Sequence, residues 1–408
     1  MGENIKDEIV LDNKNVNLQE IKERRLILES KPTHIWLAVS GKCNLSCAHC
    51  LGIPGRGSTR KSDLIDLDWK IFEQLERDLF PYVETCVLGG NNRGEPFFAK
   101  DWDRYCDRLL RFPMKIEVTT NGTLLSNERI EKLVSHGVDL RISVDGATEE
   151  TLRLIRGVRL SKIVESIAKI NETRETDAHR KTKISLNFAI CYSNVRELPE
   201  LIEMGSGMGV DEICVMHLMP QIESQRYQSL FYHMDTYNHI AEKARLIAEE
   251  KGIRLDMAPP FDCGQIIPTN PVERVKGEKV AKNDYCLLPW NSVSITNKGT
   301  VEPCCVGAMR EMGDLNKKSF DEIWNGRRYR KLRKEMVNQK QTRGCKNCPF
   351  RFFERDTENI GAAILSDIGP ATSYPVGILL RKWGKDFILK SPYGSRVIHY
   401  LIDYYRKL

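Results

Sequence analysis

From residue 34 onward the chain switches between two hydrophobic periods. Short apolar, β-branched runs stand at 35–39, 85–88, 115–119, 140–144, 183–190 and 212–218. Between them, apolar positions recur at helical spacing over 68–79, 102–111, 127–136, 160–172 and 195–204. A further helix is predicted over 234–251 and a short strand over 254–257. Strand–helix alternation with short loops predicts a parallel sheet wound by right-handed crossovers. Six such units make an α/β fold, a partial (β/α)6 barrel of TIM-like type. In such barrels chemistry sits at the C-terminal ends of the strands.

The flanks have a different texture. Residues 1–33 are polar, with a short helix predicted over 19–29 and stopped by Pro32. The predicted units are therefore an N-terminal extension (1–33), the partial barrel (34–258), a linker (259–284), a small cysteine-rich domain (285–351) and a tail (352–408). Within the small domain, Asn297-Lys298-Gly299 lies between apolar runs at 293–295 and 300–302 and predicts a hairpin with a loop longer than two residues. A helix is predicted over 320–339, and a late amphipathic one over 394–408.

Composition narrows the class. With 41% hydrophobic and 29% charged residues, a soluble globular protein is expected. The net charge of +6 is small for 408 residues, and opposite charges interleave, so no nucleic-acid partner is expected. No apolar window is long enough for a membrane span, and no signal peptide is evident. Thirteen cysteines without an export signal point to a reducing, cytoplasmic setting and to metal, not to disulfides.

Two cysteine sets carry the candidate chemistry. Cys43, Cys47 and Cys50 stand at C-x3-C-x2-C spacing just past the first strand run. Three thiolates suit a cubane iron–sulfur cluster with one iron left open. They make a poor zinc site, which ordinarily wants a fourth ligand. Cys286, Cys304, Cys345 and Cys348 form the second set. Four thiolates hold either zinc or a closed [4Fe–4S] cluster.

The first set, with His49 just before its third cysteine, resembles the radical S-adenosylmethionine (SAM) superfamily. The second set lies among Tyr285-Cys286, Gly299-Thr300-Val301-Glu302-Pro303-Cys304 and Gly313-Asp314-Leu315. It resembles the SPASM/twitch domain, which binds an auxiliary cluster in that superfamily. No cysteine follows Cys348, and this favours the shorter, one-cluster twitch form.

The resemblance implies a partial barrel, a SAM-binding [4Fe–4S] cluster on Cys43, Cys47 and Cys50, and a second [4Fe–4S] cluster on the other four. It also implies an electron donor of flavodoxin or ferredoxin type. For SAM it implies contacts from Gly94 and Glu95 (amino group) and from Ser143 and Arg156 (carboxylate). Asp145, Asn187, His217 and Met219 follow for ribose and adenine, and Asn121 belongs to a Thr-Thr-Asn-Gly stretch at the third strand end. Arg153 rivals Arg156. Cys263, in a loop leaving the barrel, is a candidate hydrogen donor.

Four functions are then in play. The leading expectation is oxidation of a cyclitol- or sugar-like molecule, with the auxiliary cluster accepting an electron. Epimerisation through Cys263 is the second. Peptide maturation is the third, and the short N-terminal extension counts mildly against it. A zinc-stabilised binding protein is the non-enzymatic alternative.

Overall fold

The computed structural model describes residues 2–50, 52, 60–89, 94–176, 182–218, 223–258, 260–261, 286–304 and 311–338. Its strands are β1 (His34–Leu37), β2 (Thr85–Leu88), β3 (Lys115–Thr120), β4 (Asp139–Ser143), β5 (Ile184–Ile190), β6 (Glu212–His217), β7 (Arg254–Met257), β8 (Ser292–Ile295), β9 (Thr300–Glu302) and β10 (Gly313–Asp314). Its helices are α1 (Gly2–Lys22), α2 (Trp69–Asp78), α3 (Trp102–Leu109), α4 (Asn127–Ser135), α5 (Glu149–Arg156) and α6 (Leu160–Thr176). They continue with α7 (Leu198–Gly207), α8 (Met234–Lys251), α9 (Leu288–Asn291), α10 (Phe320–Trp324) and α11 (Arg327–Val337). No described helix is long and apolar enough to cross a membrane.

One sheet runs through the molecule in the order β10-β9-β8-β1-β2-β3-β4-β5-β6-β7. Strands β1 to β7 are parallel and in chain order. Strand β8 pairs parallel with β1, His34 against Ser292, and β9 returns antiparallel beside it. The cysteine-rich region therefore extends the barrel sheet. The β8–β9 loop spans 296–299, with Gly299 at φ 79°.

The two faces of the sheet differ sharply. Ile35, Leu37, Cys86, Val118, Leu140, Ile142, Leu186 and Phe188 are essentially inaccessible, each at most 1% exposed. By the period of two, the opposite face carries Lys115, Glu117, Arg141, Ser143, Asn187, Glu212, Cys214, Arg254 and Asp256. Parallel sheets are usually apolar on both faces. The polar inner face sets this sheet apart from that pattern.

Two helix expectations are corrected. The N-terminal helix is Gly2–Lys22, not 19–29, and Arg24 leaves it at φ 56°. Beyond that point tertiary partners take over the backbone. Glu20 accepts from the amides of Glu29 and Ser30, Asn13 bonds both backbone groups of Lys31, and Asn325 bonds both of Leu28. The helix predicted over 320–339 is two helices. Ser319 and Glu322 form a capping box at the first, and the break falls at Asn325–Gly326, where Asn325 is committed to Leu28.

Candidate functional site

The thiol loop leaves β1 at its C-terminal end. Cys43 is exposed, Cys50 half-buried and Cys47 buried. Burial raises the pKa of Cys43 and pushes that of Cys47 up to about 11. Thiolates here need positive charge close by, which iron supplies. Three N–H groups already point at sulfur: Leu45 N to Cys43 Sγ (3.4 Å), Gly52 N to Cys50 Sγ (3.3 Å) and Asn121 Nδ2 to Cys43 Sγ (3.8 Å). Hydrogen bonds to sulfur are among the levers that set a cluster's potential.

The loop is held by the next two strand ends. Gly94 sits at φ 60°, and a Cβ there would lie 2.2 Å from the Ser40 carbonyl oxygen. The Glu95 amide donates to the Lys42 carbonyl at 2.7 Å. The Glu95 carboxylate is 2% exposed and turned inward. It accepts from Thr120 Oγ1 (2.7 Å), the Asn121 amide (2.8 Å) and the Phe97 amide (3.4 Å). Burial raises its pKa despite these donors. Thr120 and Asn121 thus fix the orientation of the carboxylate that the resemblance assigns to the SAM amino group. Asn121 in turn donates to Asn44 Oδ1 at 2.9 Å as well as to the Cys43 sulfur.

Beyond β4, Asp145 and Arg156 form a buried ion pair at 2.5 Å, with side chains 1% and 9% exposed. The Ala189 amide donates to the other Asp145 oxygen at 2.7 Å, and His49 Nε2 lies 3.3 Å from the oxygen that meets Arg156. Burial opposes the Arg156 charge, but Asp145 and the nearby Cys47 outweigh it and raise its pKa. Arg153, the rival, is 56% exposed and paired with Glu149. The helix periodicity of α5 decides between them, since Arg156 falls on the buried stripe with Leu152 and Ile155.

Unspent polar groups remain. Arg156 Nε and Asn187 Oδ1 are buried without a hydrogen-bond partner among the described residues. Ser143, in register with Asn187, makes no side-chain hydrogen bond among the described residues. A donor, an acceptor and a hydroxyl left open, the donor close enough to Cys47 and Cys50 to feel their charge, fit a polar ligand such as SAM. His217 does not join them. It pairs with Ile190 on the helix-covered face, and its ring packs 4.6 Å from Tyr237 and 5.5 Å from Phe261. Its expected cofactor contact is corrected on that ground. Met219, Cys263, Cys345 and Cys348 lie outside the described residues.

Below this level the inner face is a ladder of charges. Arg141 pairs with Glu117 (2.8 Å), Lys115 with Asp139 (2.7 Å) and Arg254 with Glu212 (3.0 Å). Arg141 also donates to Cys214 Sγ at 3.7 Å, and Glu212, Cys214 and Asp256 gather within 4.8 Å of one another. Core packing is the sequence-based expectation for Cys214. The alternation of Glu212, Cys214 and Met216 with Ile213 and Val215 was the signal that it faces inward.

Of the second cysteine set, Cys286 and Cys304 are described, and they lie at the other end of the sheet. Cys286 precedes α9 and β8, and Cys304 follows β9, so both fall toward the N-terminal end of β1. Tyr329 and Arg333 of α11 are fully buried nearby, and Cys304 and Glu302 act electrostatically on the Tyr329 hydroxyl. That hydroxyl and Arg333 Nη2 have no hydrogen-bond partner among the described residues. Buried, unpaired donors beside a thiol fit an acceptor-rich sulfide cluster.

The radical SAM superfamily model matches residues 37–181, and the SPASM model, an iron–sulfur cluster-binding domain, matches 286–349. A tungsten-containing aldehyde ferredoxin oxidoreductase cofactor-modifying protein from Pyrococcus furiosus is 24% identical over 316 residues, covering 72% of this chain and 82% of that protein. An AdoMet-dependent heme synthase from Methanosarcina barkeri is 24% identical over 322 residues, covering 76% and 86%. The crystal structure of Streptococcus suis SuiB shares the fold, with a TM-score of 0.58 at 17% identity over 79% of this chain and 72% of that one. The two domains imply a [4Fe–4S] cluster, SAM and an auxiliary cluster. This chain belongs to the radical SAM superfamily, with a SPASM-type region built onto the barrel sheet.

Proposed function

We propose that this enzyme oxidises a polar substrate at a C–H bond within the inner face of the sheet. When bound, the SAM-ligated cluster supplies a 5′-deoxyadenosyl radical that takes a hydrogen atom from carbon. Cys43, Cys47 and Cys50 hold that cluster, and Asn121 donates to the Cys43 sulfur. Arg156, with Ser143, takes the SAM carboxylate through its free Nε–H. Asn187 takes a ribose hydroxyl on its open oxygen. Asp145 keeps Arg156 charged and fixed. Gly94 and Glu95 hold the loop and Asn121 in place.

The observation that carries this reading is the placement of the two thiol sets. Cys43, Cys47 and Cys50 follow the C-terminal end of β1, and Cys286 and Cys304 of the other set flank the hairpin at the opposite end of its neighbour β8. Four residues of strand separate the ends, roughly 13 Å. The charged inner face lies between. Cys286 and Cys304, with Cys345 and Cys348, hold the second cluster, and Tyr329 and Arg333 stabilise its reduced form. Loss of one electron toward that end, with the hydroxyl proton passing to a carboxylate of the inner face, would complete the oxidation.

A hydroxyl-rich molecule such as a cyclitol suits the ladder of Arg141, Glu117, Glu212 and Arg254, each of which can exchange an internal partner for a substrate hydroxyl. A second reading is modification of a larger, cofactor-like molecule. It is favoured by the names of the two relatives that the chain matches along most of their length. A screen for 5′-deoxyadenosine in deuterated solvent, with cyclitols, tetrapyrroles and short peptides, separates them. Deuterium in the product marks epimerisation, and Cys263→Ala then abolishes it. About eight irons per chain fit two cubane clusters. Zinc in place of iron overturns the radical reading.

A further inference from the structure

We propose that Trp36 and Val87 form a platform inside the barrel for the C–H face of a neutral, saturated ring that carries hydroxyls at its rim. The inference deepens the reading above and rests on its placing of the substrate on the inner face. Strand β1 turns Ile35 and Leu37 into the hydrophobic core and Trp36 to the other side. Val87 stands opposite Trp36 in register and points away from the core between Cys86 and Leu88, which join it. Both residues are half-buried, and neither packs against the core.

Trp36 is unlike the other described tryptophans. Trp69 stacks on Phe72 at 4.9 Å and is covered by the Arg104 guanidinium at 3.6 Å. Trp102 meets Phe97 at 4.5 Å. Trp290 and Trp324 donate through Nε1 to the carbonyls of Arg25 and Ser30. Among the described residues the Trp36 side chain has no aromatic neighbour, no cation over its ring and no hydrogen bond. A large ring without partners forfeits dispersion that a ligand restores. Small-molecule sites are lined by such apolar groups, with a few polar ones that fix orientation.

The neighbours select the ligand. On the next strand Glu117 stands opposite Val87. Strands lie about 4.8 Å apart, so the row passes from indole to isopropyl to carboxylate within about 10 Å. Glu117 holds Arg141 Nε at 2.8 Å. A ring lying flat on Trp36 and Val87 reaches that pair with its rim hydroxyls. Across β3 to β7 the inner face sets three cations, Lys115, Arg141 and Arg254, against four carboxylates, Glu117, Asp139, Glu212 and Asp256. A conjugated polycarboxylate meets no surplus of positive charge there, and a neutral polyol is the better fit. Contact with the indole needs a ring face free of axial hydroxyls. The opposite face then keeps its axial C–H bonds clear for abstraction.

The test compares two isomers of one composition on the reconstituted, SAM-bound holoenzyme labelled with 5-fluorotryptophan. The isomer scyllo-inositol has only C–H bonds on both faces, and D-chiro-inositol carries an axial hydroxyl on each. The fluorine NMR resonance absent from Trp36→Phe identifies Trp36. Saturable movement of that resonance by scyllo-inositol is expected. Calorimetry should show scyllo-inositol binding about tenfold more tightly than D-chiro-inositol, the effect of one hydroxyl buried without a partner. Trp36→Ala is expected to bring the two isomers to equal affinity, Trp36→Phe to keep the preference, and SAM affinity to hold in both. Equal binding of the isomers by the wild type overturns the proposal, as does a Trp36 resonance that neither of them moves. So does a tetracarboxylate porphyrin that shifts the same resonance and binds more tightly, which assigns the platform to a conjugated ring. If Trp36→Ala does not fold, the isomer comparison on the wild type decides by itself. These readouts precede hydrogen abstraction. Formation of 5′-deoxyadenosine with a cyclitol beside an unmoved Trp36 resonance sinks the platform alone, whereas failure to form it tells against the proposed reaction.

Discussion

Arg156→Gln isolates the electrostatic centre of the site. The guanidinium lies 2.5 Å from Asp145, and the two side chains are 9% and 1% exposed. Removing one partner of such a pair leaves the other charge buried and uncompensated, which costs about 3–5 kcal/mol. Domain stabilities are only about 5–15 kcal/mol, so this is a large fraction. At 1.4 kcal/mol per decade, the folding equilibrium moves by roughly two to three and a half decades. The internal control lies one turn away. Arg153 is exposed and paired with Glu149 four residues earlier, so Arg153→Gln is expected to cost under about 0.5 kcal/mol. Urea titration of the two single variants, of Asp145→Asn and of Asp145→Asn/Arg156→Gln gives a double-mutant cycle. The double variant is expected to recover most of the loss, because no unpaired charge remains. SAM affinity, measured separately, is expected to fall in every variant lacking Arg156 and to hold in Arg153→Gln. The reasoning fails if Arg156→Gln costs no more than Arg153→Gln, or if the double variant is as unstable as the sum of the singles.

Gly94→Ala is expected to disrupt the thiol loop, since the added Cβ meets the Ser40 carbonyl at 2.2 Å and φ is 60°; the strain alone is about 1–3 kcal/mol, and iron content after reconstitution should drop. Tyr329→Phe removes a buried donor aimed at the second cluster's end of the sheet, so potentiometric titration followed by electron paramagnetic resonance should show that cluster's potential moving negative, with the first cluster unchanged. Burial lowers the pKa of His217 from 6.5 to about 4, so the unfolded chain binds more protons than the folded one between those values. Stability should therefore decline as pH falls from about 6.5 toward 4, by up to about 3 kcal/mol from this residue. His217→Phe should flatten that part of the urea-midpoint profile, and an unchanged slope would show that His217 is not buried in its neutral form.

The chain order of the barrel was legible because each strand and helix is amphipathic or apolar on its own account. The runs at 85–88, 234–251 and 254–257 are observed with the same bounds. The thiol spacing and the Thr-Thr-Asn-Gly stretch were legible for a similar reason: local chemistry needs local residues. Direction was not. Glu95 carries a carboxylate at a promising strand end, yet Thr120 and Asn121, 25 and 26 residues on, turn it inward. His217 and Asn187 look alike as lone polar residues in strands, and only register put one against α8 and the other inside.

What the sequence determined by itself was periodicity and chemistry: a βα alternation, a three-thiol loop after its first strand, and a four-cysteine set beyond its last helix. Only the tertiary structure decided which groups remain open. Asp145, just past β4, and Arg156, at the end of α5, become one buried pair, and Arg156 Nε is left without a hydrogen-bond partner among the described residues. Strand β8 joins β1 across more than 250 residues. It sets Cys286 and Cys304 at the far end of the same sheet, because hydrogen bonding along an open strand edge does not depend on separation in sequence.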